Sequence, residues 1–343
     1  MKFYLDTSHY TDKKDWVNVP HVIRPYFVDK GKKVNERFIQ LLANSHAEAD
    51  FSILPMNLEY YYIRDKKDRM MDYIKEAHKV GKRVIAFNDG DKGLRPNLKG
   101  VIILTQNAFQ SKRLPLEYGH TFIADDPMPE YFGKSEIVVR DKCEKPIVGF
   151  DGLAGESTLK NIYRVIRNIQ HNVNFALGRT IFAPDRLLPG TYTREKALRL
   201  IEKDERIVAN FNKRTAFRAG AKDAADQRIK TTEFYTNMLK SDYILCCRGV
   251  GNFSKRFYET LAMGRIPIFV NTDCILPFDN IIDWKKYVVW IEEKDIKSIG
   301  NRILEHYDSM TNEQFHALQK ACRSIYDNYL TEYGELTSLP SLL

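Results

Sequence analysis

Short apolar runs alternate with stretches of helical period along most of the chain. Residues 2–6 predict an opening strand, and a helix is expected over about 35–44. Residues 51–54 read as a strand stopped by Pro55, and 66–80 as a helix closed by Gly81. Residues 83–87 and 101–105 add two strands, the first running into the loop NDGDKG. The stretch 115–139 is rich in proline, glycine and acids, and predicts irregular structure leading out of a first domain. A second series begins at Pro146 with a strand at 147–150, the loop DGLAGES and a helix from about 157 to 169. Ser157 or Glu156 would cap that helix. The stretch ALGRTIFAPDRLLPGTYTREKA predicts strand, loop and helix start, and a strand at 206–209 and a helix at 232–240 follow. Two amphipathic helices at 295–307 and 312–329 precede a loose end after Gly334.

The most structured pattern lies at 243–283. An apolar run breaks at Gly249 and Gly251, resumes as a helix over about 254–263, stops at Gly264 and continues as a strand at 266–270. This is the order of a βαβ unit. Short strands alternating with helices argue for parallel sheets covered on both faces. Two such series joined near residue 140 predict two Rossmann-like domains facing a cleft. We expect them at 1–140 and 141–300, with C-terminal helices at 301–343 packing back across both. Ligand sites in such sheets lie at the C-terminal ends of strands.

Composition narrows the chemistry only a little. The 343 residues are 43% hydrophobic and 29% charged, ordinary for a globular chain. No apolar run has membrane-spanning length, and MKFYLDTSHY turns polar too soon for a signal peptide. Five cysteines without regular spacing make no disulfide framework, so a reducing compartment is expected. The net charge of +8 suits nucleic acid, an anionic membrane surface or a phosphate-bearing small ligand. No helix-turn-helix, zinc-finger or RNA-binding signature is present, so a nucleic-acid partner is not expected. A basic helix near 159–169 suits a membrane surface, with a solvated face as the plainer reading.

Candidate chemistry gathers where strands end. The loop RGVGNFSKR has the wrong spacing for a dinucleotide fingerprint or a Walker loop. It nonetheless places Arg248, Gly249, Gly251, Asn252 and Ser254 before a helix N-terminus, with Arg256 and Glu259 in its first turns. A helix start attracts anions, and guanidinium forks suit phosphate. A diphosphate-bearing ligand is therefore expected here, with Glu259 for hydroxyls. Asp89 and Asp91 follow a strand, where either carboxylate would serve as a general base. An Asx turn closing that loop is the competing reading. Asp151 ends another strand. No tight His/Cys/Asp cluster predicts a metal.

The segment CCRGVGNFSKRFYETLAMGRIPIFVNTDCILPFDNIIDWKKY resembles the C-terminal signature of the exostosin-like glycosyltransferases, family GT47. The matching positions are Cys247-Arg248-Gly249, Ser254, Arg256, Tyr258-Glu259, Leu261, Gly264, Ile266-Pro267, Leu276-Pro277-Phe278 and Asp283-Trp284. Weaker similarity extends upstream through ADFSILP, FNDGD and KPIVGFDGLAG. Cys247 stands where the family has proline, and Thr260 where it has alanine. The resemblance implies a GT-B fold and an inverting transfer of sugar from a nucleotide sugar, UDP-linked by expectation, without a required metal. It places the diphosphate on Arg256 and the amides of 249–254, with Arg248 along the same wall and Glu259 on the ribose or sugar hydroxyls. Asp89 is the leading base candidate, ahead of Asp91 and Asp151. Lacking the family's usual membrane anchor, the chain is expected to be of bacterial or viral type and cytoplasmic, peripheral at the inner face of a membrane. It would act on a glycan or lipid-linked glycan in surface polysaccharide, capsule or lipopolysaccharide synthesis. The alternatives are a fucosyltransferase-like enzyme using a GDP-sugar and a non-catalytic saccharide- or nucleotide-binding protein.

Overall fold

The computed structural model describes residues 1–10, 13–26, 39–155, 158–214 and 220–342. In chain order the first half contains β1 (Phe3–Tyr4), β2 (Leu42–Ala43), β3 (Phe51–Ile53), α1 (Leu58–Ile63), α2 (Lys67–Lys79), β4 (Arg83–Asn88), β5 (Val101–Thr105), β6 (Glu117–Gly119) and α3 (Pro127–Phe132). The second half contains β7 (Ile147–Leu153), α4 (Thr158–Ala176), α5 (Gly190–Glu202), β8 (Val208–Arg214), α6 (Ala224–Leu239), β9 (Tyr243–Cys246), α7 (Lys255–Ala262), β10 (Ile266–Asn271), β11 (Val289–Glu292), α8 (Ile299–Asp308), α9 (Asn312–Tyr329) and α10 (Glu332–Ser338).

The strands form two sheets, ordered β2-β1-β3-β4-β5-β6 and β11-β10-β9-β7-β8. All their pairings are parallel. The sequences VIAF in β4 and VIIL in β5 are buried throughout, as strands covered on both faces require. Both sheets are wound alike: the second strand pairs on one side of the first, and the third on the other. Each therefore has a topological switch point, between β1 and β3 and between β7 and β9, where a crevice opens beyond the strand ends. This is the two-domain GT-B arrangement.

The chain's end ties the two halves together. Arg323 of α9 donates from Nη1 to Asp126 Oδ1 at 2.9 Å, and the Tyr326 hydroxyl donates to the Ala124 carbonyl at 2.8 Å. Helix α9 starts with a capping box between Thr311 and Gln314. Helix α7 is stopped by Gly264, whose φ of 61° is the left-handed conformation a helix end favours in glycine.

Several expected elements differ. Of the helix expected at 35–44, residues 35–38 lie outside the described residues and Leu42–Ala43 is a strand paired to β1. The proposed caps Glu156 and Ser157 also lie outside the described residues. Within 115–139, β6 and α3 are regular, the latter capped by Asp126 and ended by Gly133. The tail after Gly334 is not loose. Thr331 caps α10, and Glu335 is buried against the first domain.

Candidate functional site

A cleft of about 1770 Å³ opens between the sheets. Its walls include Asp91, Asn107 and Phe109 from the first domain and Asp151, Arg248, Arg256 and Glu259 from the second. Lysines and arginines outnumber carboxylates on that wall, so its field favours an anionic ligand.

The floor lies at the β7/β9 switch point. Arg248 follows β9 and is 5% exposed. Its Nη2 donates to the Asp185 carboxylate at 2.9 and 3.1 Å and to the Val250 carbonyl at 3.2 Å. Its Nε and Nη1 are buried with no hydrogen-bond partner among the described residues. A half-used buried guanidinium is costly unless a ligand completes it. Arg194 braces the same floor, donating to the carbonyls of Leu153 and Arg248 at 2.9 and 2.8 Å.

Two helix N-termini converge beside Arg248. Ser254 caps α7 geometrically, yet its side chain makes no cap hydrogen bond and lines the cleft. Gly190 and Thr191 open α5 on the same wall. A Cβ at Gly190 would lie 2.7 Å from the Gly249 carbonyl, so only glycine lets this helix start reach the loop. Arg256, in the first turn of α7, stacks on the Phe150 ring at 4.3 Å and faces Phe234 at 5.6 Å. Its Nη2 donates to the Asp151 carbonyl at 2.7 Å, and its Nε has no partner among the described residues. Gly152 makes room for that side chain, since a Cβ there would meet Nη2 at 2.7 Å. Glu259, one turn along, is buried and accepts from the Tyr235 hydroxyl at 3.3 Å, with Lys255 Nζ also at 3.3 Å.

Gly249 and Asn252 of the glycine loop are committed to structure. The Gly249 amide donates to the Phe253 carbonyl at 2.9 Å. Asn252 is fully buried: its amide donates to Asn107 Oδ1, its Nδ2 to the Ala108 carbonyl at 2.9 Å, and its Oδ1 accepts from Thr272 at 2.8 Å. It is a latch between the domains. Gly251 lies against the Asp91 backbone, where a Cβ would sit 3.1 Å from the carbonyl oxygen. The loop thus brings the first domain's Asp91 beside the second domain's floor.

The three aspartates separate sharply. Asp89 turns away from the cleft, its side chain 4% exposed. Its Oδ2 accepts from the His21 amide at 2.8 Å, and its Oδ1 lies 3.0 Å from His120 Nε2. His120 Nδ1 in turn sits 2.6 Å from Glu335 Oε1 on α10. Burial alone would raise the Asp89 pKa, but His120 and then His21 outweigh it and bring it down to about 2. Burial likewise disfavours charged His120, but Glu335 and Asp89 hold its pKa up at about 10. Asp151 is also committed, accepting from Arg214 Nε and Nη2 at 3.0 and 2.9 Å and from Asn212 at 3.0 Å. Asp91 lines the cleft as Asp151 does but is the exposed one of the three, and desolvation raises its carboxyl above the usual value.

Pattern reading missed Asp185, Thr191, Arg194 and Arg214 as members of this site. The helix start at LPGTYTREKA was visible, but its destination beside Arg248 was not. Among the described residues, no group of three or more His, Cys, Asp or Glu side chains is placed to hold a metal ion.

Residues 185–306 match the family model of the Exostosin GT47 domain. The chain is 32% identical over 98 residues to the exostosin-1 homolog of Caenorhabditis elegans, covering 29% of this chain and 25% of that protein. It is 33% identical over 66 residues to a probable glucuronosyltransferase of Oryza sativa subsp. japonica, covering 19% and 16%. It is 32% identical over 68 residues to the probable beta-1,4-xylosyltransferase IRX10 of Arabidopsis thaliana, covering 20% and 16%. The match thus spans a quarter or less of the length of each of these relatives. The matched region begins at the carboxylate that holds Arg248 and contains both arginines of the floor. On a GT-B fold, residues 185–306 are therefore similar to the exostosin GT47 domain.

Proposed function

We propose that the protein is an inverting glycosyltransferase that takes a sugar from a nucleotide sugar, UDP-linked in this reading, and passes it to a glycan hydroxyl. The observation that carries it is Arg248, buried on the floor of the cleft that Asp91 also lines, with two nitrogens unpartnered among the described residues, between two helix N-termini. A diphosphate supplies the oxygens those groups lack. Arg248, Arg256 and the starts of α5 and α7 would hold it, and Glu259 would accept from ribose or sugar hydroxyls.

In the transfer, the acceptor oxygen forms a bond to the anomeric carbon as the bond from that carbon to the diphosphate oxygen breaks. The electron pair leaves with the nucleoside diphosphate, where the arginines stabilise the growing charge. The acceptor proton goes to Asp91, whose raised pKa suits a base. Asp89 and Asp151 have structural partners in this reading and shape the walls. The reading extends to a glycan or lipid-linked glycan acceptor in surface polysaccharide or lipopolysaccharide synthesis, at the cytoplasmic face of a membrane.

The test is binding and turnover with a panel of UDP-, GDP- and CMP-sugars. One of them should raise thermal stability, and Asp91→Asn should spare that shift while lowering turnover on the order of a hundredfold or more. Binding without turnover in the native chain would favour a saccharide- or nucleotide-binding protein. Turnover unchanged in Asp91→Asn would remove Asp91 as base.

A further inference from the structure

Helix α4 inverts the usual arrangement of a surface helix. It is attached to the body through its polar side: Asn168 donates to the Arg186 carbonyl at 2.9 Å, His171 Nε2 lies 3.0 Å from the Ala183 carbonyl, and Asn172 donates to the Asp185 carbonyl at 2.8 Å. Its apolar side faces outward. Leu159, Ile162, Tyr163, Ile166, Ile169 and Val173 are 47% to 79% exposed. Their spacing of three and four residues makes one continuous stripe rather than scattered exposure.

The charged residues of the helix itself are of one sign. Residues 158–184 contain no aspartate or glutamate, but do contain Lys160, Arg164, Arg167 and Arg179. Lys160 and Arg167 are exposed and also border the cleft. No helix among the described residues is long and apolar enough to cross a membrane. An apolar stripe with a cationic flank and no acids matches a helix lying flat in an anionic lipid interface. A second copy docked stripe to stripe would instead crowd like charges, with no carboxylate on the helix to relieve them.

We propose that the outward face of α4 docks on an anionic lipid bilayer. The apolar stripe enters the headgroup boundary while Arg167 and Arg179 meet the lipid phosphates. Because the basic flank borders the cleft, the bilayer surface lies beside its mouth, where an acceptor carried on a lipid would enter. Docking itself does not depend on the cleft transferring sugar; only the link to a lipid-borne acceptor rests on that reading.

Co-sedimentation of the full chain with vesicles tests it without any substrate. Vesicles of phosphatidylglycerol and phosphatidylcholine should retain the protein, and phosphatidylcholine alone much less. The variant Ile162→Asp/Ile166→Asp should weaken retention at least about tenfold, with unchanged circular dichroism and nucleotide-sugar binding. Arg179→Glu should weaken binding to the anionic vesicles roughly fivefold to tenfold, in a salt-dependent way. The proposal is overturned if the native chain ignores anionic vesicles, or if the double aspartate variant binds them like the native chain. It is also overturned if the stripe proves to hold a dimer that the double variant splits, with no vesicle retention.

Discussion

Arg265 and Arg248 lie in the same domain, both nearly removed from solvent, and they are satisfied in opposite ways. All three guanidinium nitrogens of Arg265 donate to protein: to the carbonyls of Met238, Gly264, Val138 and Leu239, and to Gln319 Oε1, at 2.8 to 3.2 Å. Arg248 commits only Nη2, leaving Nε and Nη1 without partners among the described residues. The first domain repeats the contrast with the opposite sign. Asp89 is enclosed by two histidines, while Asp91, two residues on, faces the cleft. A buried charge whose partners are all internal is part of the frame. One whose partners are incomplete marks where a ligand belongs.

Several substitutions bear on this contrast. The largest effect is expected from His120→Gln, which leaves Asp89 and Glu335 buried without their shared cation and should cost about 3–5 kcal/mol of stability near neutral pH. The pH dependence identifies the cause. His120 has a folded pKa raised to about 10, so its contribution is full below the unfolded histidine value of about 6.5 and is lost as pH rises through the folded value. The lowered Asp89 value of about 2 puts the opposite edge in acid, with stability lost as pH falls below about 4. Urea unfolding at mildly acidic and strongly basic pH should show a difference between native and variant that shrinks in base. A constant difference would mean that packing, not charge, is what His120 supplies.

Arg265→Met comes next. It orphans several carbonyls and should cost about 2–4 kcal/mol, while the folded protein's affinity for a nucleotide sugar stays unchanged. A weakened affinity would break the division between frame and ligand site. Arg256→Ala should behave the other way round. Calorimetry should show affinity for the bound nucleotide sugar falling by about 1.5–3 kcal/mol, roughly tenfold to a hundredfold, with a stability loss limited to its stacking on Phe150 and its bond to the Asp151 carbonyl. Native affinity in that variant would detach Arg256 from the diphosphate.

Much of the second domain was legible because its signals are local. The apolar run of β9, the amphipathic turn of α7, Gly264 at its end and the strand β10 follow one another within a few residues, so period and glycine placement suffice. The short elements were not legible. Strands of two or three residues, such as β2 and β6, carry too little pattern, and α10 is held by a cap and by Glu335 reaching His120 far away in sequence. The aspartates show the limit most clearly. Asp89 and Asp91 share one loop and one composition, and nothing nearby distinguishes them.

The sequence by itself therefore determined two parallel α/β halves and a cationic glycine loop at a helix start, because backbone period and turn chemistry act between near neighbours. Only the tertiary structure decided which charges are consumed and which stay open. That choice depends on partners far apart along the chain: His120 and Glu335 for Asp89, Arg214 for Asp151, Asp185 for Arg248, Asn107 for Asn252. Desolvation and pairing are properties of the assembled surroundings, and no local pattern encodes them.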